Sequence, residues 1–339
     1  MKAYSVILGI VAACTAFSSP WARPATHSEL DNDDADSTVA VIAWFNKRDT
    51  MTYWINESSW KVKDGDTTKT SGVSTKVMLT VTDSTKKGYN MEYKFLDFQG
   101  DTLADSKIGE FQNTLVNKLS KDIVGTSIRF RTDEYGHITK YENLKEIKTQ
   151  AKELFDSAYE ELLKLPVMDS LKSVGIDITT LIKKADIATI VDGYTEELEM
   201  MFRFHGNSFT VGEYDDHSDE TKKEYASDSH LSIDLDPETM EYSISTTVET
   251  NIPSKDLKEL VGSIVETFSD NSKSEDFSDE YDKQVKEDAI VSSWNSWKYF
   301  ADGWPSEVLS QTETMLMGQG KLKQTFIAWE TRSVGNPEK

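Results

Sequence analysis

The chain has 339 residues, 37% of them hydrophobic and 10% aromatic, which is enough apolar material to build a core. A formal net charge of -22 and an isoelectric point near 4.6 repel phosphate backbones and anionic headgroups, which excludes nucleic acid and leaves neutral or cationic partners. Surface acidity of this kind also keeps an exported protein soluble.

The first segment carries Lys2, an apolar run from Val6 to Cys14 and the break Ser18-Ser19-Pro20. It is far shorter than the roughly 20 apolar residues a membrane-crossing helix needs, and it reads as an export signal. Two ways of processing it stay open. Val11-Ala12-Ala13-Cys14 has the form of a lipobox, with Cys14 as the acylated residue, and Ala16-Phe17-Ser18 has the form of an ordinary small-x-small cleavage site. Cys14 is the single cysteine, so the mature body has no disulfide to rely on. The chain therefore divides into a signal (1–18), an acidic linker (19–38), one folded body (39–330) with a helical insertion (141–200), and a tail (331–339). Within the linker, Leu30-Asp31-Asn32-Asp33-Asp34-Ala35-Asp36 has no apolar face and lacks the glycine an EF-hand loop requires.

From Val39 to Asp101 the apolar pattern has period two. Strands are predicted at 51–55, 60–62, 75–81 and 89–98, separated by turn chemistry at Lys63-Asp64-Gly65-Asp66 and around Gly88. Tyr89, Met91, Tyr93 and Phe95 share one face, opposite Asn90, Glu92 and Lys94. Period three-and-four follows at 108–124, giving a short amphipathic helix, and then a hairpin at 127–131 and 137–140. Leu144, Ile147, Ala151, Leu154, Phe155, Ala158, Leu162 and Leu165 form one helical stripe ending at Pro166, with two shorter helices to about residue 201. Strands return at 201–204, 229–236 and 242–250, a helix is predicted over 254–268, and a last hairpin spans 315–317 and 321–329. The expected fold class is α+β: one curved antiparallel sheet, clam-like or a half-barrel, covered by helical insertions.

High-specificity catalytic patterns are missing from the sequence: GxSxG, HExxH, P-loop and GxGxxG do not occur. Ser58-Ser59-Trp60-Lys61 fits SxxK, but on a predicted strand rather than at the buried helix start that chemistry needs. Asp215, His217 and Asp219 are the strongest metal candidate, and adjacent residues on an acidic loop do not by themselves make a selective geometry. With 59 Asp and Glu, no carboxylate pair is diagnostic of glycoside hydrolysis.

The densest local feature is Trp294-Asn295-Ser296-Trp297-Lys298-Tyr299-Phe300, followed by Trp304-Pro305. Trp294, Trp297 and Ala301 fall at helical spacing, which favours packing in a core or cavity wall over an exposed sugar-stacking platform. Trp54 and Trp60 in the first strands are placed to meet that cluster and wall an apolar groove. Trp54, Trp60, Trp294, Trp297 and Trp304 are thus the candidate ligand-binding set.

The order of signal, acidic spacer, Trp- and Tyr-rich meander and helix resembles uncharacterised secreted or lipid-anchored β-rich proteins of Gram-negative gut bacteria. The step from Gly125-Thr126-Ser127-Ile128-Arg129-Phe130 through Tyr135-Gly136 to His137-Ile138-Thr139, and Ile233-Asp234-Leu235-Asp236, are similar to segments of the same proteins. The resemblance implies no catalytic residues. Their curved sheets resemble the lipoprotein-carrier clam folds, which hold acyl chains in an apolar concavity. The function expected is therefore a non-enzymatic, exported envelope protein without a cofactor. It binds an apolar or amphipathic molecule, such as a lipid, or an envelope partner protein. Its only membrane attachment would be a lipid anchor on Cys14. A surface glycan-binding protein is the alternative and a hydrolase the third reading.

Overall fold

The computed structural model describes residues 23–24, 38–101, 124–150, 152–153, 195–220, 225–257, 285 and 287–335. The first strands are β1 (Arg23–Pro24), β2 (Thr38–Val41), β3 (Thr50–Lys63), β4 (Asp66–Thr85), β5 (Gly88–Asp101), β6 (Ser127–Thr132) and β7 (Ile138–Tyr141). They are followed by β8 (Asn207–Thr210), β9 (Gly212–Ser218), β10 (Ser227–Leu235), β11 (Tyr242–Ile252), β12 (Ala289–Tyr299), β13 (Pro305–Leu316) and β14 (Gln319–Ser333). Eleven of them form one antiparallel sheet in the order β7-β6-β5-β4-β3-β14-β13-β12-β11-β10-β9, and β1-β8-β2 form a small second sheet.

Within the large sheet every neighbour is also the next strand in the chain, except at one seam. There β3 pairs with β14 over a register running from Gln319↔Lys63 to Ser333↔Thr50, so the two chain-distant halves join at the sheet's middle. Two-residue turns set the registers beside the seam. Asp64-Gly65 and Met317-Gly318 are left-handed at both positions, which is the type I′ geometry that matches the twist of a hairpin. The turns also bind each other, with the Asp64 N–H donating to the Gly318 carbonyl at 2.9 Å.

Side chains alternate across the sheet, so one cross-strand row shows which face is inside. Thr75, Ile55, Ile327, Val308, Trp297, Ile244 and Ile233 stand side by side across seven strands from β4 to β10. Apart from Thr75 they are buried, together with Met51, Tyr53, Leu79, Tyr93, Ile128 and Phe130 on the same face. The cover comes from Val39, Val41 and Phe45 on and after β2, and from Leu198, Met201, Phe202, Phe204 and Phe209 in and after helix 195–201. Phe204 meets Trp297 edge-on at 4.7 Å, and Phe45 stacks on Trp304 at 4.0 Å. Each such side chain contributes about 1.5–3 kcal/mol of burial, and this face holds the core.

The fold corrects the expected class. Of the described residues 65% are strand and 10% helix, in three helices, so the molecule is mostly β rather than α+β with helical insertions covering the sheet. The sheet is open, with β7 and β9 as its edges. The predicted helix over 108–124 apart from Val124, which is in a turn, most of the 141–200 insertion and 258–268 lie outside the described residues; 144–150 and 254–257 are helical. Residues 201–204, read as a strand, are the end of a helix and the turn after it. The separate short strands at 51–55 and 60–62 are one strand, β3. Its polar middle, Asn56-Glu57-Ser58-Ser59, interrupts the apolar pattern, yet its backbone is paired on both sides by β4 and β14. Finally, 289–299 is a strand, not a helix, because β11 and β13 flank it and satisfy its backbone.

Candidate functional site

That last correction splits the tryptophan set. A spacing of three puts two residues on one side of a helix but on opposite faces of a strand. Trp297 is accordingly 2% exposed in the core, where its indole N–H donates to the Met200 carbonyl at 2.9 Å, whereas Trp294 points outward and is 45% exposed. Trp304, in the turn before β13, is fully buried. Trp54 and Trp60 lie on the outer face of β3. The structure therefore gathers Trp54, Trp60 and Trp294 on one surface and removes Trp297 and Trp304 from it.

Cross-strand registers over β3, β14, β13 and β12 define this surface as a grid. Its rows are Trp60-Leu322-Glu313-Ser292, Ser58-Gln324-Gln311-Trp294, Asn56-Phe326-Leu309-Ser296 and Trp54-Ala328-Glu307-Lys298. Several polar members are already paired. The Gln324 amide donates to Gln311 Oε1 at 3.3 Å, Ser74 Oγ to Asn56 Oδ1 at 2.7 Å, and Lys298 Nζ lies 2.6 Å from Glu307. Trp54 is held as well: its Nε1–H donates to Glu330 at 3.1 Å, and Lys76, itself 2.6 Å from Glu330, sits over its ring at 5.3 Å. The lysine holds the Glu330 carboxyl below the usual carboxylate range.

What remains open is the apolar set Trp60, Leu322, Phe326, Leu309 and Trp294. Three strand spacings and one two-residue step separate Trp60 from Trp294, roughly 16 Å between backbones. Beyond these four strands the outer face turns polar. It shows Ser243, Ser245, Thr247 and Glu249 on β11, Asp228, His230, Ser232 and Asp234 on β10, and Glu213, Asp215 and His217 on β9. An aromatic and aliphatic stripe confined to the sheet centre, with polar wings, is the pattern of an interaction surface rather than of scattered surface residues.

The predicted metal trio does not converge. Asp215 is engaged by His230 Nδ1 at 2.8 Å, while His217 Nδ1 is 2.7 Å from Asp228 and its Nε2 3.4 Å from Asp219. Among the described residues no three metal-capable side chains come together. The Asp228 hydrogen bond raises the His217 pKa above its ordinary value. Ser58 and Lys61 of the SxxK match lie on β3, so the helical arrangement that chemistry requires is not present there. Cys14 lies outside the described residues.

Three buried polar groups complete the interior. His205 is enclosed by aromatics, with Nε2 2.9 Å from the Gly303 carbonyl, and burial lowers its pKa to about 4, so it is neutral. On the inner face, Glu197 of helix 195–201 and Tyr93 of β5 each carry a buried oxygen without a hydrogen-bond partner among the described residues. The alternation of β5 had placed Tyr93 on its apolar face, whereas no signal of spacing marks Glu197, because its neighbours come from distant parts of the chain.

No protein-family model matches the chain, and no curated protein matches it in sequence. By structure it is similar to lipovitellin in a study of lipid–protein interactions, at 9% identity and a TM-score of 0.36. That match covers 87% of this chain but 26% of the other, so the chain spans about a quarter of the lipovitellin chain. It is also similar to a porin-like protein from Bacteroides uniformis, at 10% identity and a TM-score of 0.18, over 86% of this chain and 100% of that one. Neither likeness assigns a ligand to this chain.

Proposed function

We propose that the protein is a non-enzymatic, exported binding protein that takes a neutral or zwitterionic amphipathic molecule on the outer face of its central strands. One observation carries this reading: outward-facing apolar side chains concentrate on β3, β14, β13 and β12, and the wings around them are Ser, Thr and charge. A ligand laid from Trp60 to Trp294 runs over Leu322 and beside Gln324, Gln311 and Glu313, which its polar part can reach, and its apolar part extends across the next row onto Phe326 and Leu309. The net charge of -22 disfavours an anionic headgroup. Export is supported by Lys2 and the apolar run to Cys14, and acylation of Cys14 would hold the protein at a membrane; the mass of the mature N-terminus tests both.

A second reading has its own support. The Gln324–Gln311 pair beside Trp294 sets amides next to an exposed indole, an arrangement that also suits the hydroxyls and C–H face of a sugar. Thermal unfolding with lysophosphatidylcholine and with a panel of neutral polysaccharides separates the two, since a ligand bound only by the native state raises its stability. A rise with lysophosphatidylcholine alone is expected. A rise with a polysaccharide alone replaces the amphiphile by a glycan, and no rise with either rejects the surface as a binding site.

A further inference from the structure

On the inner face, the apolar rows give way to polar ones beyond Ile55, and two of these carry lysine. One row runs Thr68-Lys61-Lys321-Thr314-Val291 across β4, β3, β14, β13 and β12, and its neighbour runs Ser59-Lys323-Thr312-Ser293 across the last four of these. Lys61 and Lys321 stand directly opposite each other, roughly 5 Å apart at Cβ. Lys323 is two residues along β14 from Lys321, roughly 7 Å away on the same face. Like charges placed in this way repel. On the other side of Lys321, Thr314 is its direct partner on β13; it is 1% exposed, and its hydroxyl has no hydrogen-bond partner among the described residues.

Three adjacent cations without a counter-charge depart from the balance of this chain, in which 59 acidic residues stand against 37 basic ones. Elsewhere in the fold Lys47, Lys76 and Lys298 each hold a carboxylate. Lys61, Lys321 and Lys323 hold none among the described residues. Their row neighbours are serine and threonine, and the first carboxylate on this face, Glu57, stands one row further on, opposite Thr325. Lys321 is half-buried, and burial first, then the Lys323 charge, lower its pKa. The charge of the whole chain repels anions at long range, but within about a Debye length, roughly 8 Å, the local sign decides.

The group that relieves this arrangement is an anion with several acceptors. A tetrahedral dianion fits, because its oxygens point in different directions, toward three ammonium groups and a hydroxyl, and its charge offsets most of theirs. A carboxylate brings a single charge and two oxygens in one plane. We propose that Lys61, Lys321 and Lys323, with the Thr314 hydroxyl at the buried end of their row, bind the dianionic phosphate of a phosphate monoester on the inner face of β3, β14 and β13. Lys61 and Lys323 are exposed and form its open side. The site lies on the opposite face of these strands from the Trp60–Trp294 stripe and does not depend on it.

Calorimetric titration of the full chain in Hepes at pH 7.5 and fixed ionic strength, with glycerol 3-phosphate, inorganic phosphate and dihexanoyl phosphatidic acid, reads the affinity; a monoester is mostly dianionic there. Saturable binding of glycerol 3-phosphate is expected, with hexanoate weaker by about tenfold or more. Equal affinity for phosphatidic acid supports a site for soluble phosphates, and affinity higher by about tenfold supports a site for a lipid headgroup. Lys321→Gln and Lys323→Gln should each weaken glycerol 3-phosphate by about tenfold, and Thr314→Val by about threefold. Without ligand, Lys321→Gln should unfold at the temperature of the native chain or above it, because it removes a like-charge repulsion; loss of binding is thereby separated from loss of fold. No saturable binding of any of the three phosphates, equal affinity for hexanoate, or an unaltered isotherm in a folded Lys321→Gln/Lys323→Gln double variant overturns the proposal.

Discussion

Asp49 offers the sharpest test of how the two halves of the sheet are joined. It lies in the bend between β2 and β3 and is 2% exposed, yet it carries a carboxylate. One oxygen accepts the Asn46 N–H at 2.7 Å, and the other accepts the Gly335 N–H, just past β14, also at 2.7 Å. Its backbone carbonyl accepts the Val81 N–H at 2.9 Å, so one residue ties the entry of β3 to β4 and to the exit of β14. Hydrogen bonds to a charged acceptor contribute about 1.5–3 kcal/mol each, so Asp49→Ala, which removes both side-chain bonds and strands two donors, should cost about 3–6 kcal/mol. Asp49→Asn keeps one acceptor and turns an NH2 toward the other donor, and should cost about half as much. Urea unfolding followed by tryptophan fluorescence reads both values from the midpoint shift at unchanged m. Amide exchange at Gly335 should rise in the same order. A loss below about 1 kcal/mol for Asp49→Ala would refute the role given to the carboxylate.

Trp297→Ala should destabilise by about 3–5 kcal/mol in the same unfolding assay, as truncation of a buried aromatic does, while Trp294→Ala three positions away should stay within about 1 kcal/mol. Near-equal effects would mean that the strand faces are wrongly assigned. His205 has a folded pKa depressed to about 4, so the unfolded chain takes up a proton first as pH falls. Its contribution is intact above about 6.5 and is lost from there down to about 4, roughly 3 kcal/mol in all; stability against pH should flatten over that window in His205→Gln. For His217 the sign is opposite. Its pKa is raised by Asp228, so the cross-strand bond supports the β9–β10 hairpin below the ordinary histidine pKa and loses that effect as pH rises through the raised value. An NMR titration of His217 should show its midpoint fall toward the ordinary value in Asp228→Asn.

Much of the sheet was legible because its strands are strongly alternating. The hairpins at 127–141 and 229–250 stand close to where period and turn residues placed them, and Asp64-Gly65 announced its own turn, whereas the last hairpin, read as 315–317 and 321–329, has a first strand that begins at Pro305 and turns at Met317. The β3–β14 seam was less open to reading, since register between segments some 250 residues apart leaves no local trace. At Trp294 and Trp297 the spacing of three fits a helix and a strand equally, and only the partners β11 and β13 decide between them. The outer stripe needed the registers too: Leu309, Leu322 and Phe326 look like core residues in isolation, and the strand pairing assigns them to the Trp60 and Trp294 side. Glu197 was hidden for a different reason. Among 59 acidic residues a single carboxyl has no distinguishing mark until folding buries it.

The outer stripe is tested most directly by quenching of tryptophan fluorescence with a nitroxide-labelled lysophosphatidylcholine. Bound on the central strands, the nitroxide should quench a saturable fraction of the emission that disappears when Trp54, Trp60 and Trp294 are all replaced by phenylalanine. The buried Trp297 and Trp304 should continue to emit. Saturable quenching that persists in the triple variant would place the amphiphile elsewhere and contradict the assignment.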